Sequence, residues 1–129
     1  MFSHISVGTN DLPRAIAFYT GVLAPLGIVL KARRQQPERA IFAHPDSDVV
    51  FCVYSPLDGQ PASVGNGSLV AFEARTRHQV DSFHARALQH GGADEGAPGL
   101  RLHYSPTYYG AYVRDLDGNK LCCVCHLDE

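Results

Sequence analysis

Tryptophan is absent from this 129-residue chain, methionine occurs once and cysteine four times. No apolar run approaches the roughly 18 residues that a membrane-spanning helix needs, so no membrane partner is expected. The first residues, Met1-Phe2-Ser3-His4-Ile5, lack the basic start and apolar stretch of a secretory leader, which makes the cytoplasm the expected location. Cysteine is too sparse and too clustered for a disulfide scaffold. Cys122, Cys123 and Cys125 crowd one stretch and Cys52 is the one distant partner, so free thiols in a reducing compartment are expected. Neither sign of charge dominates: 11 Lys and Arg against 13 Asp and Glu give a net charge of −2, with no basic footprint for nucleic acid. Also missing are a Gly-x-Ser-x-Gly elbow, a P-loop and a dinucleotide fingerprint, and Gly65-Asn66-Gly67 reads as a linker turn.

What is present is an ordinary globular balance, 45% hydrophobic and 19% charged, in a chain long enough to bury roughly two-thirds of its unfolded surface. Residues 2–7 alternate as a strand. Asp11 then caps a helix whose apolar stripe is Ala15, Ile16, Phe18, Tyr19, Val22 and Leu23, ended by Pro25 and Gly27. Three β-prone runs follow, residues 28–33, 39–43 and 49–54. A linker rich in Gly, Pro, Ser and Asp spans about 57–66, and the pattern then restarts. Residues 69–74 read as a strand, and Thr76 with Gln79 has capping-box spacing before a stripe of Val80, Phe83, Ala87 and Leu88. A short strand over 94–97 and a long loop over 97–107 precede the last two strands.

An offset of 65 residues relates His4 to Leu69, Asp11 to Thr76, Phe18 to Phe83 and Gly27 to Gly92, which argues an internal repeat. The chain is accordingly expected to be one domain over 1–129, with module one at about 1–56 and module two at about 67–129. Its end reads as a β-hairpin: Tyr108-Tyr109-Gly110-Ala111-Tyr112-Val113, the turn formers Asp115-Leu116-Asp117-Gly118-Asn119, then Lys120-Leu121-Cys122-Cys123-Val124-Cys125-His126.

That hairpin resembles the closing hairpin of the vicinal oxygen chelate superfamily, which includes glyoxalase I, bleomycin-resistance proteins and extradiol dioxygenases. Pro98-Gly99-Leu100-Arg101, Tyr108-Tyr109-Gly110-Ala111 and Val124-Cys125-His126 look most like short bacterial glyoxalase-like proteins. The resemblance implies an α+β fold of two βαβββ modules forming an open, half-barrel-like sheet with helices outside. It also implies a metal-dependent lyase or dioxygenase whose ligands occupy three slots, which here hold His4, Leu69 and Cys122. Leu69 has no donor, and Cys122 replaces a Glu. The favoured expectation is therefore a degenerate metal site with no cofactor, and a concave pocket binding a small apolar or aromatic molecule.

That pocket is expected to be lined by Phe2, His4, Leu69, His103, Tyr104, Tyr108, Tyr112 and Cys122. The alternative is a metal-dependent lyase or dioxygenase with rearranged ligands, His4, Cys122 and His103 holding Zn, Fe, Ni or Mn. Tyr112 stands where similar dioxygenases carry an acid–base Tyr; without a metal it becomes a stacking wall or hydrogen-bond donor. The remaining cysteines are read as small core hydrophobes, Cys123 and Cys125 facing the helix layer opposite Cys122. His44, His78, His84 and His90 fall at turns or helix surfaces and are expected to be solvated. A homodimer is expected, since sheet edges and helix faces favour pairing.

Overall fold

Asp11 and Thr76, the two residues expected to start helices, both do so in the computed structural model, which describes residues 1–129. The Asp11 carboxylate accepts from Arg14 N at 3.1 Å and opens α1 (Leu12–Leu23). Thr76 Oγ1 accepts from Gln79 N while Gln79 Oε1 accepts from Thr76 N, a reciprocal capping box that opens α2 (Arg77–Gln89). The first helix tightens into a single 3₁₀ turn (Ala24–Leu26) and stops at Gly27, whose φ of 73° is a left-handed conformation that suits glycine. The second stops at Gly91 (φ 93°), one residue before the position equivalent to Gly27. Gly92 is needed for another reason: a Cβ there would lie 2.8 Å from the Arg114 carbonyl oxygen.

The strands form two four-stranded mixed sheets, neither closed into a barrel. The first contains β1 (His4–Gly8), β2 (Val29–Arg34), β3 (Arg39–Ala43) and β4 (Val50–Tyr54), ordered β1-β4-β3-β2. The second contains β5 (Val70–Ala74), β6 (Ala93–Leu100), β7 (Tyr109–Arg114) and β8 (Lys120–Cys125), ordered β5-β8-β7-β6. In each, the first strand runs parallel to the fourth and the remaining pairs are antiparallel. The expected pair of βαβββ modules is therefore present. Helices cover one face of each sheet, and one apolar core joins the two modules through Phe18, Tyr19, Phe42, Phe51, Phe72 and Phe83. Phe51 and Phe72 meet edge-on across the modules at 5.1 Å, a pairing that contributes about 0.5–1.5 kcal/mol beyond its buried area.

Two expectations need correction. The long loop does not begin at residue 97: β6 continues through Pro98 to Leu100, and only residues 101–108 form the loop. β6 is an edge strand with register shifts on either side of Gly96, so a proline without an N–H is tolerated where the sequence read as a breaker. His84 is not solvated. It is buried on α2, with Nε2 2.9 Å from Asp94 Oδ1, and hydrogen bonds from His84 and Gly96 N hold the Asp94 carboxyl below the usual carboxylate range. The four cysteines are free and buried, and Cys123 and Cys125 lie in the core facing the helix layer, as expected.

The turn between β7 and β8 does more than reverse the chain. Asp115 Oδ1 accepts from Asp117 N and Asn119 N at 3.0 and 2.8 Å, while Oδ2 accepts from Asn119 Nδ2 and from the buried Tyr19 hydroxyl of α1. Asp117 accepts from Thr9 Oγ1 and Asn10 N, and Asn119 Nδ2 donates to the Gly8 carbonyl. Burial, and then the Asp115 charge, push the Tyr19 phenol well above its ordinary pKa, so it stays a donor. A motif that looks local in sequence thus ties the last hairpin to the β1–α1 corner of module one.

Candidate functional site

Strand alternation divides module two into a core face and an open face. Phe72, Ala74, Ala111, Val113, Leu121, Cys123 and Cys125 point into the core. The other parity carries Ala71 and Glu73 on β5, Tyr112 on β7, and Lys120, Cys122 and Val124 on β8, with Tyr112 directly opposite Cys122. Tyr108, just before β7, lies across Gly110, where a Cβ would come within 2.8 Å of its ring. Glycine at 110 is what lets that ring approach the sheet.

These side chains are bonded to one another. The Tyr108 and Tyr112 hydroxyls share a hydrogen bond of 2.8 Å, and Tyr108 Oη lies 3.5 Å from the Cys122 sulfur. Burial pushes the pKa values of Tyr108, Tyr112 and Cys122 upward; for Cys122 the tyrosine hydroxyls and the charges of Arg101 and Lys120 oppose that rise in part. The cluster is neutral near pH 7, a poor setting for a thiolate nucleophile and a good one for hydrogen bonding.

The 101–108 loop adds a row of stacked rings. His103 lies 4.1 Å from Tyr104, Tyr104 4.9 Å from Tyr108, and Tyr108 meets His126 edge-on at 5.5 Å. Arg101 and Lys120 each sit 5.6 Å from the centre of the Tyr112 ring. A cavity of about 330 Å³ opens beside them, bordered by Glu95, Gly96, Arg101, His103, Tyr104, Tyr112 and Lys120.

Of the eight residues expected to line one pocket, the structure gathers five: His103, Tyr104, Tyr108, Tyr112 and Cys122. Phe2 lines a separate apolar groove of about 350 Å³ between the modules, with Phe51, Phe72 and Glu73. Leu69 borders a third cavity, of about 310 Å³, between β1 and the linker. His4 is exposed, its Nδ1 3.0 Å from Ser3 Oγ. Sequence reasoning missed Arg101 and Lys120. Lys120 was accessible to it, because period-two alternation places residue 120 on the face of Cys122, whereas the Arg101 position depends on the loop.

A family model, the Glyoxalase/Bleomycin resistance protein/Dioxygenase superfamily, matches residues 1–123. The chain belongs to this superfamily. Its fold is that of a glyoxalase/bleomycin resistance protein from Albidiferax ferrireducens T118, with 39% identity, a TM-score of 0.88, and 98% of this chain and 99% of that one covered. More distant superfamily-like folds include TnmS3, an antibiotic binding protein from Streptomyces sp. CB03234 (20% identity, TM-score 0.69, 98% and 96% covered). Lactoylglutathione lyase from Agrobacterium tumefaciens is similar at 21% identity and a TM-score of 0.65, with 97% and 92% covered. No curated protein matches the chain.

The metal that the superfamily resemblance implies does not fit the side chains present. Of the three slots, Leu69 offers no donor atom, and no group of three or more His, Cys, Asp or Glu side chains in the chain converges as metal ligands. The rearranged set of His4, Cys122 and His103 is likewise not assembled within one chain.

Proposed function

We propose that this protein binds a small, partly apolar or aromatic molecule on the open face of module two, without metal chemistry, as a cytoplasmic homodimer. The observation that carries this reading is the Tyr108–Tyr112–Cys122 cluster capped by the His103 and Tyr104 rings: stacking surface with hydroxyls directed across it. The antibiotic-binding function named for TnmS3 is compatible with such use of the fold. Four buried free thiols suit a reducing compartment. Exposed Phe2, Val29, Leu30 and Val49 supply apolar surface for a second copy.

A thermal-shift screen tests the binding. Planar aromatic compounds should raise the melting temperature, and Tyr112→Ala should weaken that response while His78→Ala, on the α2 surface, leaves it unchanged. Stabilisation by glutathione conjugates or catechols only with added metal, together with stoichiometric metal lost on His4→Ala, would instead establish a metal-dependent lyase or dioxygenase. Sedimentation checks the dimer, which a monomer with intact ligand binding would refute.

A further inference from the structure

The cavity beside Tyr112 carries an unbalanced charge. Three charged residues border it. Glu95 is already neutralised, its Oε1 accepting from Arg114 Nε at 2.9 Å. Arg101 has no carboxylate within 4.0 Å; its guanidinium donates to the carbonyls of Gly99 and Ala97, at 3.0 and 2.7 Å, and is thereby fixed in place. The Lys120 ammonium has neither a carboxylate partner nor a hydrogen bond within the chain, and the residue is only partly exposed. With Glu95 paired to Arg114, the two remaining charges on this cavity are both positive, and neither has a carboxylate to answer it.

Both cations address the same ring. Lys120 reaches Tyr112 from β8, and Arg101 reaches it from the loop after β6. Gly96 makes the β6 side possible: a Cβ there would lie 3.2 Å from both Arg101 Nη2 and the Tyr112 ring. Cation–π contact partly offsets the cost of the two charges, and both groups keep N–H donors that no acceptor of the chain takes up. The arrangement therefore combines an aromatic wall with two donors of positive charge at one edge.

Resting on the ligand-binding reading above, we propose that the ligand is an aromatic acid: its ring packs on Tyr104 and Tyr112, and its carboxylate or equivalent anionic group is held by Lys120 and Arg101. An oxyanion accepts from both cations and supplies the missing counter-charge, whereas a neutral aromatic of the same shape leaves Lys120 unanswered. Specificity for acid over neutral analogue follows from this charge, and orientation follows from the fixed guanidinium.

Calorimetric titration of the full-length protein with 2-naphthoate and with its neutral isostere 2-naphthamide provides the test. The acid should bind at least about tenfold more tightly than the amide, a ratio in keeping with one charge-assisted hydrogen bond, and that advantage should shrink as salt is raised. Lys120→Met should reduce that advantage severalfold, Arg101 alone remaining to hold the anion, Lys120→Arg should restore it, and Lys31→Met on β2 should change nothing. Equal binding of acid and amide by the wild-type protein overturns the anionic assignment and leaves the aromatic-binding function standing. An acid preference undiminished in Lys120→Met also overturns it. If neither compound binds, both readings fail.

Discussion

Aligned through their strand ladders, the two modules place Cys52 and Cys122 at equivalent positions, each paired with the 65-residue-related Ser6 and Ala71 of the neighbouring parallel strand. Across the antiparallel ladder Cys52 faces Ile41, whereas Cys122 faces Tyr112; two residues earlier on the central strand, Val50 corresponds to Lys120. The open face of module one thus presents Ser6 and Ile41 to its thiol, with Arg39 lying over the Tyr54 ring beyond them, while that of module two presents a pair of hydrogen-bonded tyrosine hydroxyls beside a lysine. On the core side the exchanges are of another kind. Phe42 stands for Val113, Phe51 for Leu121 and Val53 for Cys123, all buried and all apolar in character. Duplicated topology is thus compatible with free exchange of core volume, and the chemistry that distinguishes the halves is confined to a few open-face positions.

If the two cores contribute alike, the largest effect comes from removing equivalent helix rings. Phe18→Ala and Phe83→Ala are each expected to cost about 3–5 kcal/mol in urea unfolding, since both rings are fully buried. A markedly smaller loss for one would show that its module tolerates a cavity and would break the equivalence. Next comes the tie between the modules. Asp115→Ala leaves the Tyr19 hydroxyl and the donors of Asn119 without their buried acceptor, with an expected loss of about 3 kcal/mol. Tyr19→Phe should cost about 1 kcal/mol, and in the Asp115→Ala background almost nothing, because the bond is already gone.

Alkaline titration separates the halves more finely. Burial raises the pKa values of Tyr108, Tyr112, Cys122 and Cys123 in module two, and of Cys52 and Tyr19 in module one; Tyr109 is raised chiefly by its hydrogen bond to Asp81. Each of these groups prefers to be neutral when folded. The associated stability is complete below the unfolded pKa values, about 8.5 for thiols and 10 for phenols, and is lost as pH rises through the folded ones. Stability measured by denaturant should therefore fall above about pH 9, and Cys122→Ala combined with Cys123→Val should make that fall shallower. If Cys52→Ala has the larger effect on the slope, the buried ionisable load lies in module one. The smallest effect is reserved for the core face: Cys123→Val at pH 7 should change stability by less than about 1.5 kcal/mol, the range of a volume-conserving exchange.

Much of the architecture was readable because local chemistry and tertiary need coincide. Asp11, Thr76 and Gln79 cap helices in the folded chain for the same reasons that they announce them, and the 65-residue offset holds at both caps and at Phe18 and Phe83. β6 was misread because Gly96, Pro98 and Gly99 are breakers judged locally, yet an edge strand with bulges has no use for the N–H that Pro98 lacks. His84 was misread for a related reason: its partner, Asp94, lies across the helix–strand boundary. At the candidate site, strand parity was sufficient to group Tyr108, Tyr112 and Cys122. Period two cannot place a loop, so the Arg101 guanidinium is not legible in it, and it cannot say which module faces which, so the expectation that Phe2, His4 and Leu69 share a pocket with Tyr112 is not met.

The hydrogen bonds from Thr9 and Asn10 to Asp117 join residues separated by 108 and 107 positions in the chain. A contact of that span cannot form during synthesis until residue 117 has emerged. The corner that begins α1 is made more than a hundred residues before its polar anchor, and the loop between them closes only at an entropic cost. Folding should accordingly be slow for a chain of this length and all-or-none, with the first module waiting on the final hairpin, and a nascent chain stopped before residue 115 should remain open to protease at residues 8–11.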